Sequence, residues 1–585
     1  MSAKSISFVV GVLFLAHAAL AQTTWHVKSG GTPPGAGTAS NPFVFIQDAV
    51  NAASPGDTVL VRPGNYIENI DFSGKDLTLR STGGAAATTI DGGGGFMCVR
   101  FVNGETAAAL LRGFTLTNGA SIDGAGILCV QTSPRIEDCV ITGNTAINDG
   151  GGIHCFNAAP AIARCTIRGN ASGYQGGGVA SVSGASPTLS ECTVAANTTG
   201  TYGGGIAVNA GSILVADSTV ESNTVSAGDG GGVYALNPVL ATLRRTVLRA
   251  NVGGFGGAFS NTGGTVVIED SELLANTSIA SGGGLSLAFG TVDLRNTVIA
   301  ANVSGGFGGA IYTTSSTTTI VNCTVRNNAS ALGGGGIAAG FGPNVAMANS
   351  ILWGNTPDQA NAVFAAATVV ASYSDIAGGY PGAGNINADP QHVDPTGFDF
   401  NLLAASPCVN AGSNAAAVSL VADHDGRPRV VGASVDIGAF EYAPLLSGSA
   451  DDLALATAVD GHGAVTTIHA AAPGALMRIE LTSPLGSFFG SAPLVAAEIY
   501  PAGAPPVGPL GFPEVHLSLA GAQIVFDGGS AGIFGPTLLG PAPIVLTSTV
   551  PTGFGGFIGR LQGLVVTPFA ANGFFAITDV HEFVF

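Results

Sequence analysis

The feature that most constrains this chain is a repeat of about 26 residues between Gly104 and Asn355. Each repeat opens with a glycine block before a short apolar run, and an asparagine follows about twenty residues later. The glycine blocks are Gly124–Gly126, Gly150–Gly152, Gly176–Gly178, Gly203–Gly205, Gly230–Gly232, Gly256–Gly257, Gly282–Gly284, Gly308–Gly309 and Gly333–Gly336. The asparagines are Asn118, Asn144, Asn170, Asn197, Asn223, Asn251, Asn276, Asn302, Asn328 and Asn355. Such a period is typical of a stacked array in which each repeat contacts its neighbours.

The residues within each repeat predict β-strands. Short runs of Val, Ile, Leu and Thr are separated by Gly, Asn, Pro and Ser, and none has an apolar pattern at helical spacing. Neighbouring repeats share their columns, so they must pair in parallel and in register. The predicted fold class is therefore all-β, a parallel β-helix with aligned aliphatic side chains inside. An asparagine tolerates left-handed backbone and can ladder with its counterpart, which suits a corner between sheets.

Both ends of the repeat region carry features of their own. Ile46, Ala49, Val50 and Ala53 recur at helical spacing, which predicts an amphipathic helix that caps the N-terminal end. After the repeats, nine strand-like runs lie between Leu453 and Thr578, among them Val515 to Leu519, and predict a β-sandwich. This module could bind carbohydrate, attach the protein to a surface, or serve only as a folded cap.

Two stretches resemble a known family. The first is Asn41-Pro-Phe-Val-Phe-Ile-Gln-Asp-Ala-Val50, followed by Pro55-Gly-Asp-Thr-Val59, Pro63-Gly-Asn-Tyr66 and Gly74-Lys75. It resembles the opening of right-handed, single-stranded parallel β-helix proteins of the pectin-lyase-like superfamily. The second comprises Ser350-Ile-Leu-Trp-Gly-Asn355, Asn385-Ile-Asn-Ala-Asp-Pro390, Ser406-Pro-Cys408, Asp425-Gly-Arg427 and Val435-Asp-Ile-Gly-Ala-Phe-Glu441. It is similar to the closing region of secreted bacterial β-helix proteins, near a C-terminal anchoring module. The resemblance covers about residues 23–442 and implies the fold rather than an activity, because this fold hosts several functions.

These observations divide the chain into five parts. They are a signal peptide (1–21), an N-terminal cap with irregular first repeats (22–103), the regular repeats (104–356), a closing β-helix region (357–446) and a C-terminal β-sandwich (447–585). The signal peptide is predicted from Lys4, the apolar run Ile6 to Leu20 and the cleavage pattern Ala19-Leu20-Ala21. We therefore expect a secreted or cell-surface protein with no transmembrane segment after cleavage.

The charge composition restricts the partners. The formal net charge is −18, and the only lysines are Lys4, Lys28 and Lys75. Nucleic acids and anionic membranes require clustered Lys and Arg, so both are excluded as expected partners. Neutral glycans and cations remain.

The eight cysteines follow the repeat. Cys139, Cys165, Cys192 and Cys323 share one column, and Cys129 and Cys155 share another. One interpretation is a stack of small buried side chains. The other is a disulfide between neighbouring repeats, such as Cys129–Cys155, because adjacent strands lie roughly 4.8 Å apart.

One column varies while its neighbours are uniform, and it is the residue just before each glycine block. Its members are Asp123, Asp149, Gln175, Tyr202, Asp229, Phe255, Ser281, Phe307 and Leu332. Asp123 and Asp149 would lie one repeat apart, roughly 5 Å, which suits either the carboxylate pair of a retaining glycosidase or a shared calcium ion. His154 lies five residues after Asp149. The alternative is two solvated turn aspartates.

Aromatic residues in and beside the same column form a second candidate site. Tyr202, Phe255 and Phe307, with Tyr174 one position earlier, could form an intermittent strip that stacks on sugar rings. The alternative is local packing over the turn.

The leading hypothesis for function is a non-catalytic β-helix protein, adhesive or polysaccharide-binding, because the repeats lack a convergent set of titratable groups. The alternative is a polysaccharide lyase or glycoside hydrolase of the same superfamily. Lyases of that superfamily use an Arg or Lys base beside calcium, and the repeats contain no lysine. Hydrolases use clustered Asp residues. The oligomeric state is left open.

Overall fold

The computed structural model describes residues 22–31, 33–362 and 367–442, and, beyond these, the backbone of nine strands between 454 and 584. The chain forms two compact units, Met1–Tyr442 and Ala443–Phe585. The predicted signal peptide and the predicted strand Val515 to Leu519 lie outside the described residues. In the part of the chain that is described, no helix has the length and apolar character needed to cross a membrane.

The first unit is a right-handed parallel β-solenoid, as predicted. We call one circuit of the chain a rung and number the four sheets in the order in which a rung meets them after its glycine block. In one rung, Ile153–Phe156 joins sheet 1, Ala161–Ala163 sheet 2, Thr166–Arg168 sheet 3 and Ala171–Ser172 sheet 4. Every pairing between rungs within these sheets is parallel, which confirms the stacking of identical columns.

The strand bounds are as follows. Sheet 1 has 12 strands, Ile70–Asp71, Val99–Phe101, Ile127–Val130, Ile153–Phe156, Val179–Val182, Ile206–Asn209, Val233–Leu236, Phe259–Thr262, Leu285–Ala288, Ile311–Thr314, Ile337–Ala339 and Ala360–Ala362. Sheet 2 has 14 strands, Thr24–Val27, Thr58–Val61, Thr78–Ser81, Leu110–Arg112, Arg135–Glu137, Ala161–Ala163, Thr188–Ser190, Ser212–Ala216, Leu240–Arg244, Thr265–Glu269, Thr291–Arg295, Thr317–Val321, Asn344–Ala348 and Thr368–Ser372. Sheet 3 has 13 strands, Gly64–Ile67, Thr88–Asp91, Thr115–Thr117, Val140–Thr142, Thr166–Arg168, Thr193–Ala195, Thr219–Glu221, Val247–Arg249, Glu272–Leu274, Val298–Ala300, Thr324–Arg326, Ile351–Trp353 and Asp375–Ile376. Sheet 4 has nine strands of two residues, Ala120–Ser121, Thr145–Ala146, Ala171–Ser172, Thr198–Thr199, Thr224–Val225, Val252–Gly253, Thr277–Ser278, Val303–Ser304 and Ala329–Ser330.

The predicted N-terminal helix is present as Ile46–Ala52. Its Ile46, Ala49 and Val50 are buried in the same core as the first strands. The Glu68 carboxylate accepts the backbone N–H groups of Ile46 and Gln47 at 2.9 and 3.0 Å, so it satisfies two of the unpaired donors at the helix N-terminus. That the helix caps the solenoid stays a prediction.

A ladder of nine buried asparagines runs along the corner between sheets 3 and 4. Its members are Asn144, Asn170, Asn197, Asn223, Asn251, Asn276, Asn302, Asn328 and Asn355. In a typical rung, the Nδ2 of Asn197 donates to the Oδ1 of Asn223 at 3.0 Å and to the carbonyl of Ile167 at 2.9 Å. The backbone N–H of Asn197 donates to the same Oδ1 at 2.9 Å. Each buried amide is thus satisfied only when the next rung is in register.

Two details of the predicted asparagine column are wrong. Thr117 pairs with Thr142, so Asn118 lies level with Gly143, while Gly119 lies level with Asn144. Asn118 is exposed and has left-handed backbone with φ 56°. The left-handed residue is the one before each ladder asparagine, for example Gly143 and Ala196, because the ladder amide itself points into the corner.

The glycine blocks allow the close backbone approach that was expected. A Cβ at Gly152 would lie 2.5 Å from the carbonyl oxygen of Gly178 and 3.1 Å from the Nδ2 of Asn170. Gly150, at the start of the block, has φ 65°. A side chain at either position would therefore strain the bend into sheet 1.

All eight cysteines are buried free thiols, including Cys129 and Cys155, which are directly opposite in sheet 1. The Cys139 column at the bend between sheets 2 and 3 continues with Ser218, Thr246, Ser271 and Thr297. These side chains share one contact. The Sγ of Cys139 donates to the carbonyl of Glu137 at 3.2 Å, as the Oγ of Ser218 does to Ala216 at 2.6 Å. The column therefore requires a small side chain with a donor, which matches the interpretation as a buried stack.

The closing region packs along the flank of the solenoid, at the bend between sheets 2 and 3. Asn322 donates through its Nδ2 to the carbonyls of Asp436 and Gly438 at 3.1 and 3.3 Å. Arg429 and Glu441 form a buried ion pair at 2.9 Å, and Arg429 also donates to the Gly438 carbonyl. A two-stranded antiparallel sheet, His392–Asp394 with Asp399–Leu402, precedes this segment.

The second unit contains two further sheets. One is antiparallel and has the strands Ala454–Val459, Leu476–Thr482 and Ile544–Thr549. The other has the strands Ile468–Ala470, His581–Val584, Phe557–Val566, Pro493–Pro501, Gln523–Asp527 and Phe575–Ile577. The region is thus rich in strands as predicted, and their assembly into a sandwich stays a prediction.

We predict that Asn223→Ala lowers the free energy of unfolding by about 3 kcal/mol, because the two donors on Asn197 lose the Oδ1 that accepts them, and the Val194 carbonyl and the Oδ1 of Asn251 each lose a donor. Urea unfolding followed by circular dichroism measures the change. The exposed Asn148→Ala should shift the midpoint by no more than ~0.5 kcal/mol. Equal effects of the two substitutions would contradict the role of the ladder.

We also predict that none of the eight thiols reacts rapidly with an aromatic disulfide reagent in the native protein, and that all eight react after denaturation without reductant. Burial supports this, since it raises the pKa of Cys98 and of Cys323 to about 12 and so suppresses the reactive thiolate. A denatured count lower by an even number would instead reveal disulfides.

Candidate functional site

The variable column lies on the bend between sheets 4 and 1 and forms a continuous stack, which we call the bend column. Backbone bridges join Asp149 to Gln175, Gln175 to Tyr202 and Tyr202 to Asp229. The backbone N–H of Gly124 donates to the Asp149 carbonyl at 2.9 Å, which places Asp123 at the start of the same stack. The prediction that this column shares one surface is therefore correct over these rungs.

One residue predicted for the bend column, Leu332, does not belong to it. Phe307 bridges to Gly333, so Leu332 lies one position before the bend column and is 63% exposed. The left-handed glycine opposite Gly308 is Gly334, since that rung has an additional glycine.

A second column runs beside the first on the outer surface of sheet 1, and we call it the strand column. Its members, in register, are Arg100, Leu128, His154, Ala180, Ala207, Tyr234, Ser260, Ser286, Tyr312 and Ala338. Ile153 and Cys155, which flank His154 in its strand, belong to the inner core, so His154 points outward. A Cβ at Gly150 would lie 2.8 Å from the Cβ of His154, which shows how closely the bend covers this column.

The bend and strand columns bring Asp123, Asp149 and His154 together. One side-chain ligand atom from each lies within 4.8 Å of the other two. The Oδ1 of Asp123 is 3.7 Å from the Nδ1 of His154 and accepts the backbone N–H of Asp149 at 3.2 Å. The Nε2 of Gln175 donates to the Oδ2 of Asp149 at 2.9 Å and so orients that carboxylate. The predicted aspartate pair is thus adjacent, and His154 completes a three-residue cluster.

The burial of this cluster shifts the pKa values of two of its members. Burial raises the pKa of Asp149 and lowers the pKa of His154, because both charged forms lose solvation. His154 is 5% exposed, and neither ring nitrogen has a hydrogen-bond partner among the described residues. The Oδ1 of Asp149 is buried and unpartnered as well. The cluster therefore offers a neutral imidazole and a free carboxylate oxygen side by side.

Three tyrosines form an aromatic cluster on the same surface. The ring centroids of Tyr174 and Tyr202 are 5.7 Å apart in an edge-on arrangement, and those of Tyr202 and Tyr234 are 4.5 Å apart and stacked. Tyr174 is 47% exposed, whereas Tyr234 is buried at the base and its pKa is raised to about 12 by that burial. Tyr234 was missed in the sequence because it belongs to the strand column.

The four aromatic residues singled out in the sequence are spaced unevenly along the solenoid. Phe255 is 41% exposed, and its ring has no aromatic partner within the described part of the chain. Phe307 stacks on Tyr312 with centroids 6.5 Å apart, four rungs beyond Tyr202, which is roughly 19 Å. The structure thus joins Tyr174 and Tyr202 and leaves Phe255 and Phe307 as separate positions.

The tyrosine cluster and the acidic cluster are neighbours. Gln175 contacts Asp149 with its side chain and bridges to Tyr202 in the next rung. Asp149 and Tyr202 are therefore two rungs apart, about 10 Å. A single extended ligand could contact both.

Comparison with known proteins identifies the solenoid. Residues 66–248 match the family model described as "Right handed beta helix region", a range that contains both clusters. Among solved structures, the crystal structure of pectate lyase Pel9A matches with a TM-score of 0.35 and 16% identity, over 73% of this chain and 98% of that chain. A search of curated proteins found no match. The chain thus contains a right-handed β-helix region, and the resemblance inferred from its sequence is confirmed for the fold.

Proposed function

We propose that this protein binds a polysaccharide non-catalytically on the outer surface of sheet 1, as an adhesive or glycan-binding protein outside the cell. The observation that carries the proposal is the aromatic cluster of Tyr174, Tyr202 and Tyr234, whose rings come from successive rungs and touch one another. Aromatic rings offer a large apolar face with a polar rim, which suits the apolar face and the hydroxyl groups of a sugar ring. Extracellular location rests on the predicted signal peptide.

The charge of the protein indicates the kind of glycan. With a net charge of −18, the chain repels polyanions, whereas a neutral polysaccharide pays no such penalty. A glycan chain that runs along the solenoid would meet both clusters, since Asp149 lies on one side of Gln175 and Tyr202 on the other. We therefore propose a neutral glycan as the ligand and the strand-rich second unit as a carbohydrate-binding or attachment module.

We predict that the double substitution Tyr174→Ala/Tyr202→Ala weakens binding of a neutral polysaccharide by about tenfold or more, since each lost stacking contact costs about 1 kcal/mol. Affinity electrophoresis against a panel of neutral and acidic polysaccharides identifies the ligand, and calorimetry gives the affinities. Phe289→Ala is the matched control, because Phe289 is 64% exposed and follows the sheet 1 strand Leu285–Ala288, at the end of the strand opposite the bend column. Equal loss in the control, or no binding by the wild type to any member of the panel, would contradict the proposal.

A second candidate function is cleavage of a polysaccharide, and the acidic cluster favours it. The ligand atoms of Asp123 and Asp149 lie within 4.8 Å, near the carboxylate separation of about 5 Å in retaining glycosidases. Burial raises the pKa of Asp149, as a general acid requires. Asp123, whose side chain is 36% exposed, would act as the second carboxylate of the pair.

For this second function we predict that Asp149→Asn lowers the rate of depolymerisation at least ~100-fold, while Asp229→Asn leaves it unchanged. Asp229 occupies the same bend column, but its neighbour in the strand column is Tyr234 rather than a histidine. Reducing-end release and product absorbance, measured with and without calcium, report the activity. Wild-type depolymerisation would overturn the non-catalytic proposal, and unchanged turnover in Asp149→Asn would remove this pair from catalysis.

A further inference from the structure

His154 is a buried imidazole without a hydrogen-bond partner. Its side chain is 5% exposed, and both ring nitrogens lack partners among the described residues. A buried polar group without a hydrogen-bond partner destabilises the folded state, so a native site of this kind calls for a further ligand. The Oδ1 of Asp149 belongs to the same cluster, and it is also buried without a hydrogen-bond partner.

The fold itself does not require an imidazole at this position. Ala180 and Ala207 occupy the strand column in the next two rungs and are fully buried there. The bend covers them with the same glycine geometry, since Gly176 and Gly203 have φ 66° like Gly150 at 65°. The backbone of a rung therefore accepts an alanine at this position of the strand column, and the fold does not depend on an imidazole there.

The geometry around His154 suits a metal ion. Its Nδ1 lies 3.7 Å from the Oδ1 of Asp123, and ligand atoms of His154, Asp123 and Asp149 all lie within 4.8 Å of one another. In a tetrahedral site with bonds of about 2.1 Å, the ligand atoms lie about 3.4 Å apart. Small side-chain rotations would bring the three ligand atoms to that separation. Gln175 holds the other oxygen of Asp149 and leaves the unpartnered one for the ion.

We propose that Asp123, Asp149 and His154 bind one divalent transition-metal ion of the zinc type, with an open coordination position on the solvent side of Asp123. The imidazole decides the class of ion, because calcium and magnesium take oxygen ligands whereas zinc and its neighbours combine imidazole with carboxylates. The two aspartates alone suggested a calcium ion. The imidazole of His154 changes the expected metal to a zinc-type ion. The side chain of Asp123 is 36% exposed, so solvent can reach the open position. The inference is independent of glycan binding.

The test uses the full chain and zinc ions alone. After equilibrium dialysis against Zn²⁺, bound metal is measured by inductively coupled plasma mass spectrometry, and the quantity of interest is wild type minus His154→Ala. We expect a difference of about one equivalent, the same loss in Asp149→Asn, and none in the matched variant Asp229→Asn. The subtraction removes zinc held by other histidines.

Two results would overturn the proposal. One is equal zinc content in the wild type and His154→Ala, with both folded as judged by circular dichroism. The other is tight Ca²⁺ binding that Asp149→Asn abolishes and His154→Ala leaves unchanged, which would define an oxygen-only calcium site. Cobalt substitution gives an independent readout, since the visible absorption of bound Co²⁺ in the wild type should be lost in His154→Ala.

Discussion

The buried asparagine ladder is the interaction on which the rest of the solenoid depends. Each amide, such as that of Asn197, is satisfied only by the amide of the next rung and by a backbone carbonyl of the previous one. At the far end, the Oε1 of Gln359 accepts from the last member, Asn355, at 2.8 Å. A slip of one residue would bury several unpaired polar groups, so the ladder makes the register costly to change. The other columns of the rungs that carry the ladder share that register.

Once the register of the rungs is fixed, the residue type can vary at positions outside the ladder. The bend column and the strand column vary from rung to rung, and they do so side by side. Between Asp123 and Tyr234, the two columns first present two carboxylates and an imidazole. Gln175 follows, and after it come the stacked phenol rings of the tyrosines. Further along, the strand column continues with serines at positions 260 and 286. The solenoid thus concentrates its unusual side chains in a short part of one surface, where a polymer could meet both clusters.

Much of the solenoid and of the acidic cluster can be predicted from the sequence. Each residue that was misplaced or missed has a specific physical reason. The repeat predicts parallel rungs, the cysteine column and the adjacent pair Asp123 and Asp149, because all of them follow from a shared period. It misplaces Asn118 and Leu332 by one residue, since rungs of unequal length shift the alignment where no backbone pairing is visible. It misses Tyr234 because the outward positions of sheet 1 are themselves buried in these rungs, as at Ala180 and Ala207. Strands such as Ile206–Asn209 are almost entirely buried, so they lack the alternation that marks an outward side chain.

We expect ligand recognition on the outer surface of sheet 1, where the residue types of the bend column and the strand column differ from rung to rung. Hydroxyl-radical footprinting with mass spectrometry tests it most directly, on the full chain with and without a saturating bound polysaccharide. The account predicts that the glycan protects Tyr174 and Tyr202, while Tyr373, which is 39% exposed outside the two columns, keeps its rate of oxidation. Protection of Tyr373 with unchanged oxidation of Tyr174 and Tyr202 would contradict it.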